Sequence, residues 1–191
     1  SLGSAPVRAA SARLTRSSRI VATMHRWYDA WTPGAGSPVA SVPAMAGWNF
    51  ADVFEQIAEV IPEATAQRQG DRTSTWSQFD RRADGIGRAL LDAGLVEQDK
   101  VVQYLHNGPE YLESVFGAFK AGLATVNTNY RYTEDELVYL WDNADAAAVV
   151  FHGTFSERVD AIRSRVPRVR LWLHVDDSTG AAPDWAVPYT P

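Results

Sequence analysis

The chain contains no cysteine among its 191 residues, which excludes disulfides, thiolate metal sites and a cysteine nucleophile. It also lacks an apolar run close to the ~18 residues that a transmembrane segment needs. The net charge is -5, so no overall basic field attracts nucleic acid, and we expect no nucleic-acid partner. Hydrophobic residues make up 46% of the chain, which is typical of a globular domain with a sizeable core.

The first 44 residues differ from the rest in charge. They contain five arginines and one acidic residue, for a net charge of +4, whereas the other 147 residues carry -9. A segment rich in arginine and serine is similar to an organelle transit peptide. We favour a disordered leader or an upstream extension, with Met45 as the true start. The expected location is therefore cytoplasmic, or mitochondrial if residues 1–44 are a transit peptide.

From Asn49 onward, short apolar strands alternate with amphipathic helices. Helices are predicted to begin after Asn49, Thr75, Gly108, Thr133 and Thr154, and the three threonines each have Gln or Glu three residues later, the spacing of a capping box. A hairpin is predicted around Gly70-Asp71, and single strands at 100–106, 123–127, 146–152 and 169–177. This alternation predicts an α/β fold, with a mainly parallel sheet flanked by helices.

These patterns divide the chain into three parts. Residues 1–44 are the leader or extension, residues 45–177 form the organised domain, and residues 178–191, "STGAAPDWAVPYTP", are a loop or linker where the pattern ends.

The predicted carboxyl ends of the strands carry the candidate functional residues, because ligands of open α/β sheets bind there. These residues are His106-Asn107-Gly108, Asn127-Thr128-Asn129, His152-Gly153-Thr154, His174 and Asp176-Asp177. Three histidines at three strand ends suggest metal binding or acid–base chemistry. None has a second ligand at a helical or tight-turn spacing, however, and we favour a structural role. Asp176-Asp177 is interpreted as a solvated turn.

Motifs for phosphate binding and for nucleophilic catalysis are missing from the sequence. Gly85-Ile86-Gly87 lies inside a periodic helix instead of between a strand and a helix, so its glycines are predicted to allow close helix packing. No G-x-S-x-G elbow occurs. We therefore assign no catalytic, cofactor-binding or metal-ligating residue.

The segment "VNTNYRYTEDEL", residues 126–137, combines polar and aromatic residues between a strand and a helix. Read locally, it is a joint in which Val126 ends a strand and Thr133 with Glu136 caps a helix. Arg131, between two tyrosines, is interpreted as part of a packed, hydrogen-bonded loop, with a supporting role near a site as the alternative.

Several segments together resemble a known family. "NGPEYLESVFGAFKAG", "VNTNYRYTEDEL" and "GDRTSTWSQFDRRADGIGRAL" are similar to the amino-terminal region of the adenylate-forming (AMP-dependent synthetase/ligase) superfamily, most like bacterial fatty acyl-CoA synthetases. The resemblance covers residues 47–177. One departure is Gln98, where the family usually has glycine in a turn before a strand.

The resemblance implies an incomplete amino-terminal portion of the large domain of an acyl-CoA synthetase. Such enzymes join a carboxylic acid to coenzyme A through an acyl-adenylate formed from ATP with Mg²⁺. The family's phosphate loop and catalytic residues lie further along the chain than this sequence extends. The 191 residues are thus expected to be inactive alone and to hold no cofactor, whereas ATP, Mg²⁺ and CoA serve the complete enzyme, a possible homodimer.

Two alternatives stay open at this stage. One is a free-standing α/β binding or interaction domain that has kept the scaffold without the chemistry. The other is a different adenylate-forming enzyme, such as an aryl-acid ligase or a luciferase-like oxygenase.

Overall fold

The computed structural model describes residues 49–190 of the chain. The predictions for residues 1–44 and for Met45 lie outside these residues. The helices are α1 (Phe50–Val60), α2 (Trp76–Asp92), α3 (Pro109–Lys120), α4 (Glu134–Asn143) and α5 (Ser156–Ile162). The strands are β1 (Thr65–Gln69), β2 (Arg72–Thr75), β3 (Lys100–Tyr104), β4 (Ala124–Asn127), β5 (Ala146–His152), β6 (Leu171–Val175) and β7 (Val187–Pro188).

Strands β3 to β7 form one parallel sheet in the order β4-β3-β5-β6-β7. Strands β1 and β2 pair separately as an antiparallel hairpin, and Gly70 in its turn has a φ of 56°. The predicted α/β class, with a mainly parallel sheet flanked by helices, is confirmed.

The sheet is covered on both faces, and each face has its own hydrophobic cluster. On one face, α2 and α3 contribute Ile86, Leu90 and Ala118, which pack with Val101 and Val150 of the sheet. On the other face, the cluster joins residues of α4 and α5 to alternate residues of the same strands: Leu137, Trp141, Val159 and Ile162 pack with Val102, Val149 and Phe151. Successive side chains of each strand point to opposite faces of the sheet and therefore contribute to two separate hydrophobic cores.

Helices α2 and α3 approach each other closely where they cross. A Cβ atom at Gly117 would lie 2.7 Å from Ile86 Cβ and 2.9 Å from Ala83 O, and one at Gly87 would lie 3.0 Å from Gly117 O. The predicted packing role is therefore confirmed for Gly87, whose partner Gly117 was not singled out from the sequence.

Three of the four predicted helix caps have their predicted partners. Asn49 Oδ1 accepts hydrogen bonds from the first turn of α1, and Thr75 and Gln78 form a reciprocal capping box. The carboxylate of Glu136 accepts from both the backbone N–H and the hydroxyl of Thr133. These local contacts are visible in sequence because their partners are three residues apart.

The prediction for Thr154 is wrong. Thr154 lies in a short 3-10 turn, Gly153–Phe155, and α5 begins only at Ser156. Its backbone N–H donates to Asp177 Oδ2, 3.0 Å away, instead of joining a box with Glu157. A second 3-10 turn follows α5 at Arg163–Arg165, so the predicted helix is divided into three pieces.

The segment after Asp177, predicted to be a loop or linker, contains the short strand β7 parallel to β6. Just before this strand, Trp185 stacks on Phe151 with ring centroids 5.6 Å apart, and Ala186 is buried. A two-residue strand is too short to show a period in the sequence, which explains why it was not predicted.

Gln98 occupies the turn that precedes β3. Its φ of 68° lies in the left-handed region, which glycine adopts at lower cost than residues with a side chain. Gln98 therefore replaces the family's usual glycine at a position whose backbone conformation favours glycine. The fold keeps the turn, with a hydrogen bond from Gln98 N–H to Gly122 O at 2.9 Å.

Candidate functional site at the carboxyl edge of the sheet

The centre of the carboxyl edge is the point between β3 and β5 where the connections diverge. The connection from β3 runs through α3 on one face of the sheet, and the connection from β5 runs through α5 on the other. Ligands of open α/β sheets bind in the crevice at such a topological switch point. This geometry places the loop His106–Gly108 opposite His152 and the turn Gly153–Phe155.

A cavity of about 220 Å³ lies at this switch point. Its lining is polar and comes from the hairpin, the loop after β3, the start of α3 and the ends of β5 and β6: Gln69, Arg72, His106, Asn107, Gly108, Glu110, His152, Asp176 and Asp177. Six of the residues predicted from strand ends are thus brought together with three residues that the sequence did not point to, Gln69, Arg72 and Glu110.

The three histidines do not converge on one point. The backbone N–H of His106 donates to Nδ1 of His152 at 3.0 Å, and the two rings stack with centroids 5.7 Å apart. His174 instead packs edge-on against Phe151. Among residues 49–190, the one group of three potential metal ligands within reach of each other is Glu55, Asp80 and Asp84, and it includes none of the histidines.

His152 is nine-tenths buried at the end of β5. Burial lowers the pKa of its imidazole below the ordinary value, and the carboxylate of Asp177 opposes this effect only in part. His152 is therefore a neutral hydrogen-bonding group at physiological pH.

Arg72 and Glu110 form one wall of the cavity. Arg72 Nη2 donates to Glu110 Oε1 at 2.5 Å. Burial raises the pKa of Glu110, but the hydrogen bonds from Arg72 and from its own backbone amide outweigh burial and lower the pKa overall. The guanidinium of Arg72 is consequently already paired within the protein.

The two aspartates after β6 cap a turn, as predicted. Asp177 accepts hydrogen bonds from the backbone N–H and hydroxyl of Thr179 and from the N–H of Thr154, and Asp176 accepts from the N–H of Ser178. Burial raises the pKa of Asp177, but these hydrogen bonds outweigh it, so the pKa lies below the ordinary value. A Cβ at Gly153 would lie 2.7 Å from Asp177 Oδ1, so this turn packs against a position that needs glycine.

The loop after β4 is held by an arginine that sequence reasoning missed. Arg158 of α5 donates from Nη1 to Tyr104 Oη at 3.0 Å, to Tyr132 O at 3.1 Å and to Tyr130 O at 3.4 Å. No spacing in the sequence indicates these contacts, because the partners lie 26 to 54 residues away.

Arg131, which was interpreted as the packed residue of this loop, is exposed. Its guanidinium lies 5.4 Å from the centroid of the Tyr130 ring, and its backbone N–H donates to Asn129 Oδ1. Thr128 is the buried member and accepts from Trp141 Nε1 at 3.2 Å. The interpretation of a hydrogen-bonded loop is therefore correct, but Arg158 and Thr128 provide the packing instead of Arg131.

Comparison with known proteins agrees with this architecture. The parallel sheet flanked by helices matches the amino-terminal portion of adenylate-forming enzymes, such as an anthranilate CoA ligase whose structure superposes with a TM-score of 0.64 at 25% identity, over 66% of this chain and 25% of that one. The family model described as AMP-binding enzyme matches residues 54–188, and the chain belongs to this family.

The similar proteins are much longer than the matched region. A medium/long-chain-fatty-acid–CoA/3-oxocholest-4-en-26-oate–CoA ligase of Mycobacterium tuberculosis is 36% identical over 131 residues, which cover 69% of this chain and 24% of that protein. A 3-oxocholest-4-en-26-oate–CoA ligase of Rhodococcus rhodochrous is 33% identical over 131 residues, which again cover 69% of this chain and 24% of that protein. The chain therefore spans about a quarter of the length of these relatives.

Solved structures show the same fold. A putative long-chain-fatty-acid CoA ligase from Rhodopseudomonas palustris superposes with a TM-score of 0.69 at 21% identity, over 76% of this chain and 36% of that one.

Among residues 49–190, no helix combines the length and the apolar character that crossing a bilayer requires.

Proposed function

We propose that this chain provides the amino-terminal scaffold of an acyl-CoA ligase that converts a fatty acid or a related carboxylic acid to its CoA thioester with ATP. The observation that carries the proposal is the co-linear match of residues 54–188 to the AMP-binding enzyme family, together with relatives that are fatty-acid and steroid-acid CoA ligases. Membership of the AMP-binding enzyme family and the parallel sheet are shared with those enzymes, while the acyl substrate of this chain is part of the proposal.

The cavity at the switch point does not fit a nucleoside triphosphate. The cavity at the switch point is lined by Glu110, Asp176 and Asp177, whose carboxylates repel phosphate, and its one arginine is paired with Glu110. We therefore derive no step of the reaction from these residues. Their role in the proposal is to build the sheet edge and to position the loops that follow β3, β4 and β5.

The proposal also includes the co-substrates and the metal ion of the complete enzyme. Its co-substrates are ATP and coenzyme A, with Mg²⁺ as the metal. A cytoplasmic location and a homodimer stay predictions.

A graft into a relative tests the proposed activity. Residues 54–188 of this chain replace the matched region of the Mycobacterium tuberculosis ligase, and acyl-CoA formation is measured with fatty, steroid and aromatic acids. We expect acid-dependent thioester formation with fatty or steroid acids, because the grafted residues supply scaffold and leave the remaining three quarters of the enzyme unchanged.

The ungrafted ligase and a graft carrying Arg158→Ala serve as controls, the latter because the guanidinium of Arg158 holds the loop after β4. Thermal unfolding of the graft is recorded first, to establish that it folds. A folded graft that forms no thioester with any acid contradicts the proposal, whereas preference for aromatic acids points to an aryl-acid ligase.

A further inference from the structure

The loop after β3 is tied to the rest of the protein on two sides. On one side, the backbone N–H of His106 donates to Nδ1 of His152 at the end of β5, 3.0 Å away. On the other side, Gln69 Nε2 of the hairpin donates to Asn107 O at 3.0 Å, and Arg72 pairs with Glu110 just beyond the loop. The cavity at the switch point lies between these two sets of hydrogen bonds. Breaking the hydrogen bonds on one side would therefore open the cavity on that side.

The tie to His152 depends on the protonation state of the ring. A neutral imidazole can accept at Nδ1 only when its hydrogen is on Nε2, which fixes the tautomer. A protonated imidazole carries hydrogens on both nitrogens and is a donor at each. Protonation of His152 therefore places an N–H against the N–H of His106 at hydrogen-bond distance, and the bond cannot persist.

Charged and titratable groups face His152 from both sides. His106 and Glu110 belong to the loop after β3 and to α3, and His174 and Asp177 belong to β6 and the turn that follows. Burial disfavours the protonated ring most strongly, and the neighbouring histidines add to this effect. The carboxylates of Asp177 and Glu110 favour the protonated ring and offset part of the lowering of the pKa.

Nothing else in the described structure competes for Nδ1 of His152, and no other residue ties the loop to β5 through a side chain. The tyrosine ring of Tyr130 and the ring of Phe155 contact His106, with centroids 4.9 Å away in each case. These are contacts of the His106 ring, and they do not involve its backbone N–H, which donates to His152 Nδ1. Release of the hydrogen bond is therefore the step that responds to protons.

We propose that His152 is a proton-operated latch of the switch-point cavity, closed when the ring is neutral and open when it is protonated. In the closed state, the loop His106–Gly108 is held against the end of β5. In the open state, it remains attached through Gln69 and Arg72 and moves away from β5. The stability that the latch contributes is present above the histidine pKa of the unfolded chain and is lost as the pH falls towards the lower pKa of the folded state.

The latch is tested by NMR on the full 191-residue chain. The ¹⁵N shifts of the His152 ring report its tautomer, and the amide shift and hydrogen exchange of His106 report the hydrogen bond. At pH 7.5 we expect a hydrogen on Nε2 and a protected His106 amide. On acidification, we expect both signals to change together with a midpoint below about 6.5, and the protection to fall about tenfold once intrinsic exchange is corrected for.

Two variants separate the latch from general acid effects. In His152→Asn, the amide oxygen can accept the same hydrogen bond without titrating, so the His106 amide is expected to stay protected throughout. In His106→Asn, the backbone donor is kept, so the transition is expected to persist at residue 106. A wild-type His152 ring with its hydrogen on Nδ1 at pH 7.5, or an amide of His106 that does not follow the titration of His152, overturns the proposal even if a variant fails to fold.

Discussion

Replacing Lys120 by methionine is expected to lower the free energy of unfolding by about 3 kcal/mol. The side chain of Lys120 is 7% exposed, and its Nζ lies 2.5 to 2.8 Å from carboxylate oxygens of Glu55, Asp80 and Asp84. Burial lowers the pKa of Lys120, but the hydrogen bonds with the three carboxylates outweigh burial and raise it, so the cation is present throughout the physiological range. Without this cation, three carboxylates face each other within 4.8 Å.

Breaking a buried ion pair typically costs about 3–5 kcal/mol of stability. We expect the lower end of this range for Lys120→Met, because about a fifth of each acidic side chain is exposed to water. Chemical denaturation at neutral pH measures the effect. Lys100→Met is the matched control, since Lys100 has no ion pair among the described residues, and its expected change is within about 0.5 kcal/mol. Equal losses for both lysines would contradict the cluster's role in joining α1, α2 and α3.

Replacing Glu113 by alanine is expected to cost about 2–3 kcal/mol, because it removes a buried carboxylate that accepts hydrogen bonds from Arg82 and Tyr189. Glu113 is 1% exposed in α3. Its Oε1 accepts from Arg82 Nε at 2.8 Å, and its Oε2 accepts from Tyr189 Oη at 3.0 Å. The residue thereby ties α2 and the segment after β7 to α3.

The conservative change Glu113→Gln separates charge from hydrogen bonding. It keeps one acceptor and is expected to cost about 1–2 kcal/mol at neutral pH. Burial raises the pKa of Glu113, and Arg82 and Tyr189 offset this only in part. The folded state therefore holds its proton to higher pH than the unfolded state does, and ionisation reduces stability as the pH rises through that interval.

Glu113→Gln is accordingly expected to flatten the fall in stability between about pH 4.5 and the raised pKa of the folded state. Glu59→Ala is the control, since Glu59 is an exposed residue of α1 with no hydrogen bond among the described residues, and a change within about 0.5 kcal/mol is expected. A loss for Glu113→Ala as small as that of the control would show that the pairs with Arg82 and Tyr189 do not support the fold.

The sequence predicted those features whose partners are close along the chain. Strand and helix alternation gave the parallel sheet, and the caps at Asn49, Thr75 and Thr133 were predicted because their partners lie two or three residues away. Gly87 was recognised as a packing position because it interrupts a periodic helix. Local periodicity and capping chemistry therefore predict the fold class and most of the helices and strands of residues 49–177.

Contacts between residues that are far apart in the chain could not be predicted from local sequence patterns. Lys120 meets Asp80 and Asp84 across 40 and 36 residues, and the N–H of His106 meets His152 across 46. Thr154 was assigned to a cap because Glu157 has the right spacing, whereas the turn at Asp177, 23 residues away, takes its N–H. Sheet topology brings such residues together, and the order β4-β3-β5-β6-β7 is not encoded in spacing.

The candidate site was predicted in outline. Residues at the carboxyl ends of β3, β5 and β6 do line one cavity, as the general rule for open sheets leads one to expect. The hairpin's contribution, through Gln69 and Arg72, was not foreseen, because these residues lie on strands whose side chains show no distinctive pattern. The consequence is a cavity with a paired arginine and three carboxylates, which does not suit phosphate.

ATP–pyrophosphate exchange by the purified 191-residue chain tests the central claim most directly, namely that these residues supply the scaffold of an acyl-CoA ligase without its nucleotide chemistry. The intact Mycobacterium tuberculosis ligase assayed with the same acids is the positive control. We predict no acid-dependent exchange from this chain under conditions in which the control is active. Acid-dependent exchange by the chain itself would contradict the account, because it would require a nucleotide site that the cavity at the switch point does not provide.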